Sequence, residues 1–269
     1  MVIPPPLQPR YATPRRRFAS IRAILALMLR EMATTYGRSP GGYIWAVLEP
    51  IGAIALLTII FSLGFRDPPL GTNFPIFYAT GMVPFLMFMD ISSKTATSLT
   101  FSKALLSYPS VTFVDALLGR FILNVMTQIL VAYIVFIGIL LIFETRTTLY
   151  LPSVALSLTM AAVLAIGVGS LNCFLFTMFP IWARIWSVLT RPLFIISCTL
   201  FLFDTIPQPF RDVLWYNPLV QVVGQMRSGF YPNYDAHYVN LPYVFGIGLV
   251  LMLIGLLFLR RYHRDLLYK

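Results

Sequence analysis

Charge is scarce in this chain. Of its 269 residues only 11% are Asp, Glu, Lys or Arg, whereas 58% are hydrophobic, which excludes an ordinary water-soluble globular domain. Cysteine and histidine are scarcer still. Cys173 and Cys198 both fall inside apolar runs, and His237 and His263 fall near opposite faces of the membrane; no metal site is expected, and the cysteines read as packing residues. None of the three lysines follows a glycine, so the G-x-x-x-x-G-K-[ST] loop is missing and ATP cannot be bound that way. Neither H-E-x-x-H nor G-x-S-x-G occurs, and the ten carboxylates form no D-x-x-D cluster. That argues against an intramembrane protease, a serine hydrolase or an acid-paired transferase. No residue stands out as catalytic, and no cofactor is expected on this chain.

What the sequence has instead is apolar length. With roughly 20 apolar residues needed per crossing, six candidate spans emerge, at about 43–64, 74–93, 121–143, 154–178, 185–203 and 241–259. The expected fold is an all-α polytopic membrane protein of six transmembrane helices. The net charge of +10 would suggest a nucleic-acid partner in a soluble protein, but here its distribution speaks for topology. With both termini cytoplasmic, sixteen Lys and Arg lie inside and four outside (Arg66, Arg146, Arg211 and Arg227), as the positive-inside rule requires.

Residues 1–14 are proline-rich and expected to be a disordered cytoplasmic tail; residues 15–269 form a single membrane domain. Arg15-Arg16-Arg17 resembles a signal-peptide start, but the apolar stretch after it is short and interrupted by Arg30-Glu31, so it is read as retained. Phe18, Ile21, Leu25, Met28 and Met32 recur at helical spacing, predicting an amphipathic helix over about 17–33 in the cytoplasmic interface. Gly41-Gly42 lets the backbone turn into the first span. Residues 94–120 are too polar to cross and are expected to hold one short helix ending before Pro109.

In the fourth span Ala161, Ala165, Gly169 and Cys173 form a row of small side chains suited to close helix packing. The external segment 204–240 contains Asn217-Pro218, a helix start. Leu219, Val222, Val223, Met226 and Phe230 follow as an apolar stripe opposite Gln221 and Gln225. This predicts a short re-entrant or interfacial helix before the last span.

Few polar groups reach membrane depth: Glu49, Asp90, Asn124, Gln128, Asn172 and Arg191. A charge at the centre of a span costs about 2.5–3.5 kcal/mol on insertion scales, so such groups pair with one another or line a path. Gly42, Ala46, Glu49 and Ala53 share one helix face. Arg191 is the candidate cation for Glu49, and Trp45 is the candidate for stacking on a sugar.

The stretch R-E-M-x-T-x-Y-x-x-S-x-x-G-Y-x-W-A-x-x-E-P, from Arg30 to Pro50, resembles the entry to the first span of type-two ATP-binding-cassette exporter permeases, particularly those that export capsular polysaccharide or O-antigen. WYNPLVQVVGQMRSGFYP, residues 215–232, is similar to the segment before the last span of the same permeases. The resemblance implies a homodimeric channel driven by two separate nucleotide-binding ATPase subunits, where ATP and magnesium would be bound. It further implies a periplasmic co-polymerase and an outer-membrane export protein as partners, a lipid-linked polysaccharide as substrate, and location in the bacterial inner membrane. By the same analogy Arg22, Arg30 and Glu31 in the interface helix, with Lys103 and Tyr108 in the coupling segment 97–108, would meet the ATPase. Tyr43, Trp45, Glu49, Arg191, Trp215, Tyr216 and Arg227 would line the substrate path. A permease for O-antigen, teichoic acid or a small drug remains open, as does a membrane-embedded glycosyl- or phosphotransferase.

Overall fold

The computed structural model describes residues 19–36, 42–106 and 111–268, and all regular structure among them is helical. The proline-rich tail lies outside the described residues. Helix α1 (Ala19–Glu31) occupies most of the expected interface helix and continues into a π-helical turn, Met32–Tyr36. Ile21, Leu25, Leu29 and Met32 are exposed along it. It crosses α5 at Gly119, where Leu27 and Ile24 approach the glycine closely. Next come α2 (Gly42–Gly64), α3 (Phe74–Ala96) and, after a single turn residue, the short α4 (Ser98–Leu106), which is the helix expected within 97–108.

Helix α5 (Phe113–Ile142) begins eight residues before the expected span. A capping box sets its start: the Thr112 hydroxyl accepts from the Asp115 backbone N–H at 3.2 Å, while the Asp115 carboxylate accepts from the Thr112 N–H at 2.9 Å. Two otherwise unpaired backbone donors are thereby satisfied. Helices α6 (Leu151–Met178) and α11 (Leu241–Tyr268) are the remaining long elements.

By length and composition five helices can cross a membrane: Ile44–Gly64, the continuous Phe74–Leu106, Phe113–Ile142, Leu151–Met178 and Leu241–Tyr262. The stretch expected to be a sixth, residues 185–203, is not one helix. It divides into α7 (Pro180–Leu189), α8 (Leu193–Ile196) and a non-helical run to a 3₁₀ turn, Phe203–Thr205. Pro192 follows the end of α7 and has no N–H to continue its ladder, and Cys198 takes a left-handed φ of 57°. Freed carbonyls at such depth are tolerated only where other protein groups satisfy them. Here they are satisfied by α10. Asn217 donates to Ile196 O, and Arg227 donates to Thr199 O and Phe201 O.

At the centre of the bundle, α6 packs against α3, α10 and α11. Its predicted small row is buried, and two of its members meet α3 and α4: a Cβ on Gly169 would stand 2.7 Å from Thr95 Cβ, and Cys173 Sγ lies 3.4 Å from Ser98 Oγ. A second small contact escaped the sequence reading. Gly167 of α6 and Gly248 of α11 touch backbone to backbone, and a Cβ on Gly248 would come within 2.8 Å of Val163 O.

Helix α9 (Phe210–Trp215) is one short turn, and α10 (Pro218–Phe230) starts where Asn217-Pro218 predicts, with Asn217 accepting from the Leu219 N–H at 3.1 Å. The predicted stripe of α10 is fully buried. So is Gln221 on its polar side, which donates to Trp215 O and accepts from the Asn240 N–H. Helix α10 is therefore enclosed by protein rather than lying on a leaflet.

Candidate functional site

Two polar centres sit at opposite ends of the bundle. At one end α1, α4 and α5 meet over a cluster that includes Leu27, Leu99, Leu106 and Leu117. The capping box fixes the first turn of α5, and from there Arg120, Asn124 and Gln128 follow at intervals of four, on one helix face. Glu31, the last residue of α1, is 2% exposed. Arg120 Nε donates to its carboxylate at 3.0 Å and Asn124 Nδ2 reaches the same oxygen at 3.5 Å. Arg120 also donates to the Thr97 hydroxyl at 3.2 Å and lies 4.3 Å over the Phe101 ring of α4. Arg30 covers the same ring at 5.3 Å. Further along, Gln128 donates to Asp90 of α3 at 2.8 Å, and Lys94 pairs with Asp90 at 2.9 Å.

The other end holds a cation of a different kind. Arg227 of α10 is fully buried and donates to Phe201 O at 2.9 Å and Thr199 O at 3.1 Å, with its guanidinium 4.6 Å over the Phe77 ring. Among the described residues no carboxylate is within ion-pair distance of it. Burial draws its pKa below the ordinary arginine value, opposed by the nearby Tyr238, Tyr234, Cys198 and Tyr231. Burial pushes the phenols of Tyr231, Tyr234 and Tyr238 upward, so all three stay protonated beside it at neutral pH. On the surface of this layer Trp215 stacks on Tyr243 at 5.1 Å, its indole N–H donating to Tyr238 O, while Tyr216 is 66% exposed.

The predicted site residues divide accordingly. Arg22 and Lys103 are exposed on α1 and α4, and Arg30 is half-buried on Phe101. Glu31 is not a surface group here; its carboxylate is spent inside the chain. Tyr108 lies outside the described residues, and Tyr43 falls in the first turns of α2. Trp45 (65% exposed) and Glu49 share an outward face of α2. Glu49 makes no ion pair with the equally exposed Arg191, so the expected Glu49–Arg191 partnership does not form within one chain. Trp215 and Tyr216 are adjacent, and Arg227 is walled off from both faces. Of the deep polar groups, Asp90, Asn124, Gln128 and Asn172 are all satisfied internally, the last by the Trp182 indole at 3.0 Å.

Arg120 and Phe101 were missed by the sequence reading. The available signal was the polar row Arg120, Asn124, Gln128 on an otherwise apolar helix, which marks a face turned toward protein.

The sequence itself matches a known family. The sequence profile described as ABC-2 type transporter aligns with residues 22–231. The chain belongs to the ABC-2 type transporter family. As such it is a transport subunit. It is 29% identical over 231 residues to the polysialic acid transport protein KpsM of Escherichia coli, covering 86% of this chain and 90% of that one. It is 26% identical over 248 residues to the capsule polysaccharide export inner-membrane protein CtrC of Neisseria meningitidis serogroup B, covering 91% and 92%. It is also 24% identical over 243 residues to the O-antigen export system permease protein RfbA of Klebsiella pneumoniae, covering 87% and 89%. The ABC-2 match takes in both polar centres, since Glu31, Arg120 and Arg227 all lie within it.

Proposed function

We propose that the chain is the membrane-spanning permease of an ATP-driven exporter that carries lipid-linked capsular polysaccharide across a bacterial inner membrane. The observation that carries this reading is the similarity to capsule-export proteins along about nine-tenths of both chains. The α1 end is cytoplasmic, in keeping with the bias of Lys and Arg toward that side. ATP is hydrolysed, with magnesium, on two separate subunits, because this chain has no phosphate loop. Those subunits dock against the exposed faces of α1 and α4, where Arg22 and Lys103 stand.

Two copies of the chain form the path. The α2 face carrying Trp45 and Glu49 is turned toward it, since a carboxylate is costly against hydrocarbon. Trp45, with Trp215 and Tyr216 at the far end, offers aromatic faces to sugar rings. A periplasmic co-polymerase and an outer-membrane export protein continue the route.

Purification of the full chain in mild detergent tests the reading. An ATPase subunit is expected to accompany it in equal amount, and the partner-free chain is expected to hydrolyse no ATP. A solitary chain that turns over ATP overturns the proposal. In cells Trp45→Ala is expected to lower surface polysaccharide per inserted protein severalfold, without loss of the ATPase. The similarity to RfbA favours a second reading, O-antigen export. Disruption of the gene separates the two by which surface glycan disappears.

A further inference from the structure

We propose that Arg120 is the positioning residue that carries movement of α1 and α4 into the membrane-spanning helices, a role that rests on the coupling reading above. One guanidinium joins four pieces of chain. It sits on α5, holds the carboxylate of Glu31 at the end of α1 at 3.0 Å, binds the Thr97 hydroxyl at the α3–α4 junction at 3.2 Å, and stacks 4.3 Å over Phe101 of α4. Side-chain exposure at the ion pair is only 10% for Arg120 and 3% for Glu31. Water therefore does not stand ready to replace a partner that moves, and a shift of α1 or α4 must drag α5 or break the contact.

The row continues the same connection along α5. Asn124 touches Glu31, and Gln128 binds Asp90 of α3, which is paired with Lys94. Eight residues of helix, roughly 12 Å at 1.5 Å per residue, are thus tied to α1 at one end and to α3 at the other. Only arginine can make this junction, because its planar fork donates in two directions while its face stacks on a ring. The arrangement also explains Arg30. It lies on the same Phe101 ring, and its Nη1 is buried with no hydrogen-bond partner among the described residues, so the ring carries two cations against one carboxylate.

The test uses the full chain with its ATPase subunit, reading three quantities: inserted protein, ATP hydrolysed by the purified complex in nanodiscs, and surface polysaccharide in cells. Arg120→Lys keeps the charge and loses the fork. It is expected to insert and retain the ATPase, with export per ATP hydrolysed lowered about tenfold, within the usual range of coupling energies. Glu31→Gln is expected to act in the same direction, more weakly. Phe101→Leu, which keeps an apolar side chain without a ring, is expected to behave like Arg120→Lys.

A purely structural role would lower inserted protein and leave export per ATP unchanged, and that result overturns the proposal. So does an Arg120→Lys chain that exports normally. If the wild-type chain brings down no ATPase, the coupling reading itself fails, and this proposal with it.

Discussion

The two buried arginines solve the same problem with opposite chemistry. Arg120 shares its charge with a carboxylate on another helix, a hydroxyl and a ring, all side chains. Arg227 has no carboxylate partner among the described residues and binds two backbone carbonyls of the chain that follows α8. A contact between side chains on separate helices can be broken and remade as the helices shift. Carbonyls released by a broken helix have no alternative donor once buried, so whatever satisfies them is held for as long as the fold lasts. The α1 end is thus built from side-chain contacts that tie separate helices to one another, whereas the α10 end is built from contacts that a broken backbone requires.

The largest effect that tests this contrast is expected from Arg227→Met. Two charge-assisted hydrogen bonds are lost, each worth about 1.5–3 kcal/mol, partly offset by relief from burying a charge. A net destabilisation of about 2–4 kcal/mol should appear as less inserted protein and a lower thermal midpoint in detergent. Arg227→Lys should do little better, since an ammonium cannot span both carbonyls and lie flat on Phe77. A wild-type midpoint for Arg227→Met would break the contrast outright.

Glycine substitutions offer a matched pair with a smaller effect. At Gly81 an added Cβ would stand 2.6 Å from Thr199 O, one of the carbonyls Arg227 holds. Gly81→Ala should therefore cost about 1–3 kcal/mol through overpacking. At Gly119, where α1 crosses α5, the nearest atom would be Leu27 Cβ at an ordinary 3.4 Å. Gly119→Ala should be neutral or stabilise by up to about 1 kcal/mol from helix propensity. Thermal midpoints of the two variants, measured side by side, decide whether the ends differ as described.

The smallest effect is a response to alkali confined to the α10 end. Burial raises the pKa of Tyr231, Tyr234 and Tyr238 above their ordinary 10.0. The folded state therefore holds these protons more tightly than the unfolded one. The resulting stability is fully present below pH 10 and declines above it as unfolded phenols ionise first. Tyrosinate absorbance should show a late-titrating group that moves still further above pH 10 in Arg227→Met, because the guanidinium favours the phenolates, and stays in place in Arg120→Lys. Identical titration of both variants would mean that the two ends are not independent.

Much of the fold was legible because its signals are local. Asn217-Pro218 marks the start of α10 through one side-chain acceptor and one missing donor, and the structure begins the helix there. The small row on α6 needs only a periodicity of four to be seen, and it packs against α3 and α4. The start of α5 was equally local, in Thr112-x-x-Asp115, and was passed over because hydropathy alone placed the span boundary later. The candidate site was less accessible. Glu31 looked like a group offered to a partner because a lone acid in an interface helix carries no sign of the arginine 89 positions away that takes it.

Apolar length, the side on which cations accumulate and the missing phosphate loop depend on composition within a window or on a fixed spacing. The residues alone therefore settled the membrane class, most of the helices and the family resemblance. The fate of residues 185–203 could not be read that way. Its mean hydropathy suits a continuous crossing, but a broken path is stable only if its freed carbonyls find donors, and those donors are Asn217 and Arg227, 21 to 28 residues further on. Pairing over such distances is decided when helices pack, since hydropathy sums over neighbours in sequence and hydrogen bonds join neighbours in space.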